Sequence, residues 1–335
     1  MAYDKVVDSA SLDSKLTQVA DAIRTKGNTS ADLQFPSGFI SAIQAIQTGT
    51  ELQIIVSVTS GATVTATKGS LSVSGTSVNG TCTLVVPEAG TWSVTATLNG
   101  ETSNTMNVSV KDSYALTLNF LNDNFADNDW TSIIAACHSG SVPSTWVVGN
   151  SKTMTINGTS YQVDIIGKNH DTYTAGGTAP LTFQMHDCYA YEKQMNSSGT
   201  NVGGWTDCAM RNTHLPAILA LMPTEVQNGI REVNKLTSAG NQSSTIKTTA
   251  DKLFLLSEIE IFGIVEYSYS GEGTQYAYYK AGNSKVKKLS DYTWDWWERS
   301  PDGSDTTYFC SVDPYGSANS NDANGPLGVA FGFCF

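Results

Sequence analysis

PEAGTWSVTATLNG, Pro87 to Gly100, decides how the first half of the chain is read. Trp92, Val94, Ala96 and Leu98 alternate with Ser93, Thr95 and Thr97, the period of two expected of a strand with one face buried. Asn99-Gly100 then supplies a dipeptide suited to the positive φ angles of a tight hairpin turn. Outward from this stretch the same texture recurs in LQIIVSV, ATVTAT, SLSVSG, CTLVVP and TMNVSV, punctuated by Gly61, Gly69 and Asn79-Gly80. Short Val/Thr-rich strands at this spacing predict an all-β sandwich over residues 50–112, with the Trp92 face in its core. Cys82 is the only cysteine there, so an antibody-type disulfide between the sheets is impossible.

Upstream, residues 1–49 read as helical. Leu12, Leu16, Val19, Ala20 and Ile23 recur at helical spacing through SLDSKLTQVADAIRTKG and stop at Gly27, which suits a left-handed cap. FPSGFISAIQAIQTG places Phe39, Ile40, Ile43 and Ile46 on one stripe behind Pro36 and Ser37, before Gly49. Two short helices bury both stripes poorly alone. Their apolar faces meet another subunit or another protein, or else close on each other as a small hairpin.

Downstream, residues 113–335 mix both periods, which predicts an α+β domain with long loops. DNDWTSIIAACHSG reads as a capped helix, and SKTMTINGTSYQVDIIG as a hairpin around Asn157-Gly158 with Met154, Ile156, Tyr161, Val163 and Ile165 in the core. HLPAILALMP and TEVQNGIREVNKL read as helices, the second with Thr224 as N-cap. Brief strands are expected around TYFCSV and GVAFGFCF.

Composition removes several function classes. Lys+Arg 19 against Asp+Glu 31 gives a net charge of -12, and no basic run is dense enough to neutralise a phosphate backbone, which excludes nucleic acid and anionic membranes as partners. MAYDKVVDSAS lacks the apolar core of a secretory signal, and the longest apolar stretch, LFLLSEIEIFGIV, is interrupted by Glu258 and Glu260, so neither export by that route nor membrane insertion is expected. Cys82, Cys137, Cys188, Cys208, Cys310 and Cys334 contain no CxxC and read as reduced, buried thiols.

Candidate chemistry is sparse. His170-Asp171 and His186-Asp187-Cys188 are zinc-ligand types, but their spacing makes no compact set, so no metal site or cofactor is expected and hydrogen-bonded structural roles are. GxSxG, HExxH and GxxxxGK[ST] are absent. Asp291, Asp295 and Glu298 lie among Tyr292, Trp294, Trp296 and Trp297, which would suit stacking on a sugar and protonating its leaving group. The alternative is that the tryptophans hold a loop-rich domain together while the acids bond to amides or face water. Cys310 and Cys334 each follow a Phe in an expected strand and read as neighbouring buried thiols rather than redox or copper partners.

From Ser300 to Phe335 there is no Lys, Glu, Gln, Met or Trp, although all five occur upstream. These five are the amino acids that codons ending in a pyrimidine cannot encode.

STWVVGNSKTMTINGTSYQVDIIGKNHD, MNSSGTNVGGWTDCAMRNTHLPAILALMP, TTADKLFLLSEIEIFG and WWERSP…GVAFGFCF together resemble a domain family of unknown function in Firmicutes and their phages. That family is related to the C-type lectin fold and to the formylglycine-generating-enzyme superfamily, and the resemblance runs from about Leu116 to the end. ADAIRTKGNTSADLQFPSGFISAIQAI is similar to a segment of phage tail proteins, and the β-rich segment resembles the immunoglobulin-like spacers of adhesins and tail proteins. The C-terminal tract also resembles the variable proteins of diversity-generating retroelements, in which adenines of template Asn codons are randomised. That mechanism accounts for the five missing residue types.

The resemblance implies a multidomain protein with short N-terminal helices, an all-β immunoglobulin-like sandwich and an α+β C-type-lectin-like domain. It implies a frame of Trp296, Arg299, Ser300, Pro301, Phe309, Cys310, Val312, Gly316, Ala318, Ala323 and the closing GVAFGFCF. Between these, Asp305, Thr306, Thr307, Tyr308, Ser311, Asp313, Tyr315, Asn319, Ser320, Asn321, Asp322 and Asn324 would form a variable ligand-facing surface, rich in the Tyr, Ser and Asn that antibody paratopes use. The implied protein is a non-enzymatic receptor-binding component of a phage or prophage virion tail. It would recognise a bacterial surface protein or glycan, attach to other tail proteins through its N-terminal helices and assemble as a homotrimer. The rival readings are a glycan-cleaving tail enzyme and a structural decoration protein. Calcium-binding Glu-Pro-Asn or Gln-Pro-Asp motifs are absent, and Cys310 and Cys334 lie far apart, so neither calcium-dependent lectin activity nor the superfamily's oxidase chemistry carries over.

Overall fold

The computed structural model describes residues 9–27, 30–45 and 51–335, and these form a multidomain, β-rich protein with a few helices around three separate apolar cores. Helices α1 (Ser9–Gly27) and α2 (Ser37–Ala45) close on each other through Ala20, Ile23 and Phe39, with Leu16, Leu33 and Ala42 against them. This small core uses only part of each stripe: Leu12, Val19, Phe35, Ile40 and Ile43 stay exposed. Ile46 lies outside the described residues.

All six strands read from the sequence between residues 50 and 112 form. β1 (Gln53–Ser57), β2 (Thr63–Lys68), β3 (Leu71–Thr76), β4 (Thr81–Val85), β5 (Gly90–Leu98), β6 (Glu101–Thr102), β7 (Met106–Val110) and β8 (Ser113–Thr117) make two sheets. One is ordered β4-β1-β8; the other is β3-β2-β5-β6, with β7 also on β5. Alternate residues of both point into one core, which holds Trp92, Val94 and Ala96 against Ile54, Val56, Val64, Cys82, Leu84, Val108 and Val110, with Leu98 partly buried. Asn79-Gly80 and Asn99-Gly100 have φ of 51°, 81°, 53° and 90°, the left-handed conformations their turns require. The boundary expected at residue 112 moves, because β8 pairs in parallel with β1 and sends Leu116 and Leu118 into this core.

The C-terminal body has its own core, running from Phe125 to Phe335. Helix α3 (Trp130–Ser139) starts at Asp129, whose carboxylate accepts the Ser132 amide at 2.6 Å, and ends at Gly140 in a left-handed cap. The strands are β9 (Ser151–Ile156), β10 (Thr159–Lys168), β11 (Leu181–Met185), β12 (Val233–Gly240), β13 (Ser243–Asp251), β14 (Leu253–Phe254), β15 (Lys287–Leu289), β16 (Tyr292–Trp294), β17 (Trp296–Pro301), β18 (Tyr308–Val312), β19 (Ala318–Asp322) and β20 (Gly332–Cys334). A five-stranded antiparallel sheet, β14-β20-β11-β10-β9, forms the base, and Phe183, Phe333, Phe335, Phe125 and Trp130 pack on it ring against ring. The Asn157-Gly158 hairpin forms, and Tyr161 is the one expected core residue left partly exposed.

TEVQNGIREVNKL departs from the helical reading. Only Thr224–Gly229 is helical, with Pro223 rather than Thr224 at the cap position, and Val233 onward is β12. Gly229 packs so closely on Ile134 that a Cβ would lie 2.7 Å from its side chain. Beyond it Val233, Lys235 and Thr237 alternate inward, a period-two pattern hidden in a sequence rich in helix formers.

Candidate ligand-binding surface

The sheet β17-β18-β19 is built on a fully buried strand. Trp296 and Trp297 are enclosed and donate their indole N–H groups to the carbonyls of Lys285 (3.0 Å) and Lys193 (2.7 Å). Arg299, also enclosed, pairs with Glu260 and donates to the carbonyls of Leu236, Leu255 and Glu272. Ser300 donates to the Glu272 carboxylate. Of the expected frame, Trp296, Arg299, Ser300, Phe309, Cys310, Val312, Ala323 and Val329 to Phe335 are buried, while Gly316 and Ala318 are half-buried.

The loop between β17 and β18 is fastened from outside the tract. Asn201, fully buried, donates its side-chain amide to three carbonyls, those of Asp302 (3.2 Å), Asp305 (2.7 Å) and Tyr308 (2.7 Å). Its backbone N–H reaches the Thr306 carbonyl at 2.7 Å, and its Oδ1 accepts the Asn241 N–H at 2.8 Å. Tyr269 and Gln242 donate to the carbonyls of Gly303 (2.9 Å) and Ser304 (2.5 Å). Each of these bonds to the loop from outside is to its backbone, and within the loop Asp302 adds its own, its carboxylate accepting the N–H groups of Ser304 (2.7 Å) and Asp305 (3.0 Å). Asn201 was not singled out in the sequence, and the only signal for it is that an Asn sits between Thr200 and the Gly203-Gly204 pair.

The twelve expected contact residues divide. Asp305 and Asp313 serve their own turns. Asp305 accepts the Thr307 N–H and hydroxyl, bonds that hold its carboxyl below the usual range, and Asp313 accepts the N–H groups of Tyr315 and Ser317. Thr306, Thr307 and Tyr308 are half-buried at one end of the hairpin, whereas Tyr315, 87 % exposed, stands at the turn at the other end. Between them, Tyr308 is in register with Asp322, Cys310 with Ser320 and Ser311 with Asn319. Strand alternation therefore puts Asn319 and Asn321 on one face of the edge strand and Ser320 and Asp322 on the other. Asn324 is exposed just beyond. Ser311 does not belong to a contact surface: it is fully buried and its hydroxyl accepts the Asn321 amide at 2.9 Å.

Asp295, for which the sequence offers either a sugar-cleaving role or bonding to amides, joins this hairpin through side-chain amides. Partial burial raises its carboxyl, opposed by hydrogen bonds from Asn319 and Asn321. Glu298 is fully enclosed and cannot reach a substrate at the surface beside Asp291 and Trp294, which are exposed. The histidine-rich candidates are also structural. Asp171, which burial alone would push up, is pulled down to about 2 by the Lys235 ammonium 2.8 Å away and by the Thr182 hydroxyl. His186 binds Asp164 at 2.6 Å and is raised by that bond, and the Cys188 thiol is pushed up to about 12 by burial. Among the described residues no group of three His, Cys, Asp or Glu side chains is placed to hold a metal. All six cysteines are free and buried. Cys310 and Cys334 are not neighbours: the first lies in β18 and the second in β20, beside Thr182 in the other sheet.

Residues 181–334 match a domain of unknown function, DUF6273. The matched region opens on β11 and closes on β20, and the two ends meet, since Thr182 is in register with Cys334. It contains Asn201, the whole of β17-β18-β19 and the buried frame as far as Cys334, but not α3, β9 or β10, which share the same core. No curated protein matches the chain. Among solved structures, a DUF4876 family protein from Bacteroides thetaiotaomicron aligns with 44 % of this chain and 34 % of its own, at 9 % identity and a TM-score of 0.16. The chain thus spans about a third of that protein's length, and a likeness at this level carries no argument.

Proposed function

We propose that this chain is a receptor-binding protein of a phage or prophage tail, whose C-terminal domain is C-type-lectin-like and displays the loop 302–307 and the hairpin 308–324 to a bacterial surface protein or glycan. The observation that carries the reading is the Asn201 clamp with the buried frame beneath it: a side chain outside the tract holds the loop through carbonyls that any residue would supply. This leaves positions such as Thr306, Tyr308, Tyr315, Ser320 and Asp322 free to vary, whereas Asp302, Asp305 and Asp313 shape their own turns. An edge strand offering Asn, Ser and Asp beside Tyr308 and Tyr315 has the mixed aromatic and small polar character of adaptable contact surfaces. The sandwich serves as an immunoglobulin-like spacer. The stripe of Leu12, Val19, Ile40 and Ile43 serves to assemble a homotrimer or attach it to the tail, and a monomeric mass by light scattering would dispose of the trimer.

The test is binding of the full chain to cells of its host bacterium. Replacing Tyr308, Tyr315, Asn319 and Asp322 together by Ala is expected to abolish binding and leave the unfolding transition in place. Binding retained by that variant would refute a contact surface here.

A further inference from the structure

Glu298 is the one fully buried carboxylate among the described residues with no hydrogen-bond partner on either oxygen. It sits in β17 between Trp297 and Pro301, where the register with β18 is interrupted. The groups that face it are Glu258 and Glu260 from the helix Glu258–Phe262, Glu272 from the following loop and Arg299 from its own strand, with Cys310 from β18 and Tyr279 from the helix Ala277–Lys280. The nearby cations are already engaged: Arg299 holds Glu260, and Lys235 bridges Glu260 and Asp171. Glu258 is satisfied by the N–H groups of Glu266, Tyr267 and Ser268, and Glu272 by Ser238 and Ser300. A charge on Glu298 would therefore meet no donor and only the Arg299 guanidinium, already paired with Glu260, in surroundings where an unpaired ion is costly.

We propose that Glu298 is a proton-operated latch: it is carried as the neutral acid behind β18, and loss of its proton as the solution turns alkaline loosens β17 from β18 and frees the hairpin 308–322. Burial, then the neighbouring Glu258 and Glu272, push its carboxyl well above the usual range, in the direction the geometry requires. The sign follows. Between the ordinary carboxylate value and the raised folded value the folded state binds the extra proton, so stability falls as pH rises through that window. The latch is a property of the sheet and holds whether or not the hairpin binds a ligand.

Infrared spectroscopy and amide exchange on the full chain test it. At about pH 7 the wild type should show a protonated-carboxyl band that Glu298→Gln lacks, and its folding constant should fall relative to that variant by up to about tenfold per pH unit as pH rises. Exchange at residues 308–322, corrected for its intrinsic pH dependence, should accelerate in the wild type and not in the variant. Equal spectra, or parallel pH profiles, would overturn the proposal. Should Glu298→Gln fail to fold, Glu298→Met takes its place in both measurements, because Glu272 and Asp295 are raised too and could carry a band in the wild type. A band and a pH profile unchanged in that variant overturn the latch, and their loss supports it.

Discussion

Replacing Asn201 by Ala removes a side chain whose two amide N–H groups are shared among the carbonyls of Asp302, Asp305 and Tyr308 and whose Oδ1 accepts the Asn241 N–H, the equivalent of about three full hydrogen bonds. At about 1 kcal/mol for each, the cost is about 3 kcal/mol, falling to about 1 if the half-exposed carbonyls of Asp305 and Tyr308 find water. For a domain of this size that is a fall of roughly 2–12 °C in its melting transition, at about 2–4 °C per kcal/mol. Asn201→Asp should be worse than Ala, because it turns a donor toward three carbonyls into a second acceptor. Calorimetry on the full chain reads both variants, with the transition of the β-sandwich, which Asn201 does not touch, as internal reference. A loss below about 0.5 kcal/mol, the range of an ordinary surface substitution, would refute the clamp. So would an Asp variant at least as stable as the Ala variant.

Arg299→Met leaves Glu260 buried without its guanidinium partner and should cost about 3–5 kcal/mol, read as a lowered urea midpoint; a shift under about 1 kcal/mol would mean the pair is dispensable. His186, raised by its bond to Asp164, contributes stability that is complete below its ordinary value and is lost as pH rises through the folded value. NMR titration of Asp164→Asn should bring His186 back down, and an unmoved value would assign the rise to another cause. The gene should carry, nearby, a near-copy of the segment encoding residues 300–335 with adenines where the two differ, beside a reverse-transcriptase gene. Sequencing that finds neither here nor in close relatives would make the five missing residue types a coincidence.

The sandwich was legible because its signals are local: alternation and Asn-Gly turns specify strands without reference to partners, and every strand read between residues 50 and 112 is present. Its true end was not, because β8 belongs to the sheet only through parallel pairing with β1, some sixty residues away. The start of β12 was hidden too: the helix ends at Gly229, a poor helix former, and the inward alternation of Val233, Lys235 and Thr237 sits in a stretch rich in helix-favouring residues. In the tract most of the expected frame is buried, but Gly316 and Ala318 are half-buried like many of the expected contact positions, and Ser311, whose small polar side chain reads as surface, fits under Asn321. Asn201 lies outside any pattern, and Asp295 stands out only as one acid among aromatics. The first acts on carbonyls about a hundred residues distant and the second on amides about twenty-five residues distant, and no spacing in the sequence announces such bonds.

The central claim is that residues 302–327 carry recognition and the remainder of the domain carries their shape. Its most direct measurement is exchange of that segment for the corresponding one of a related variant in the full chain, followed by binding to the host of each parent. The account predicts that binding follows the exchanged segment to the donor's host with the melting transition unchanged. Binding that stays with the original host would contradict it.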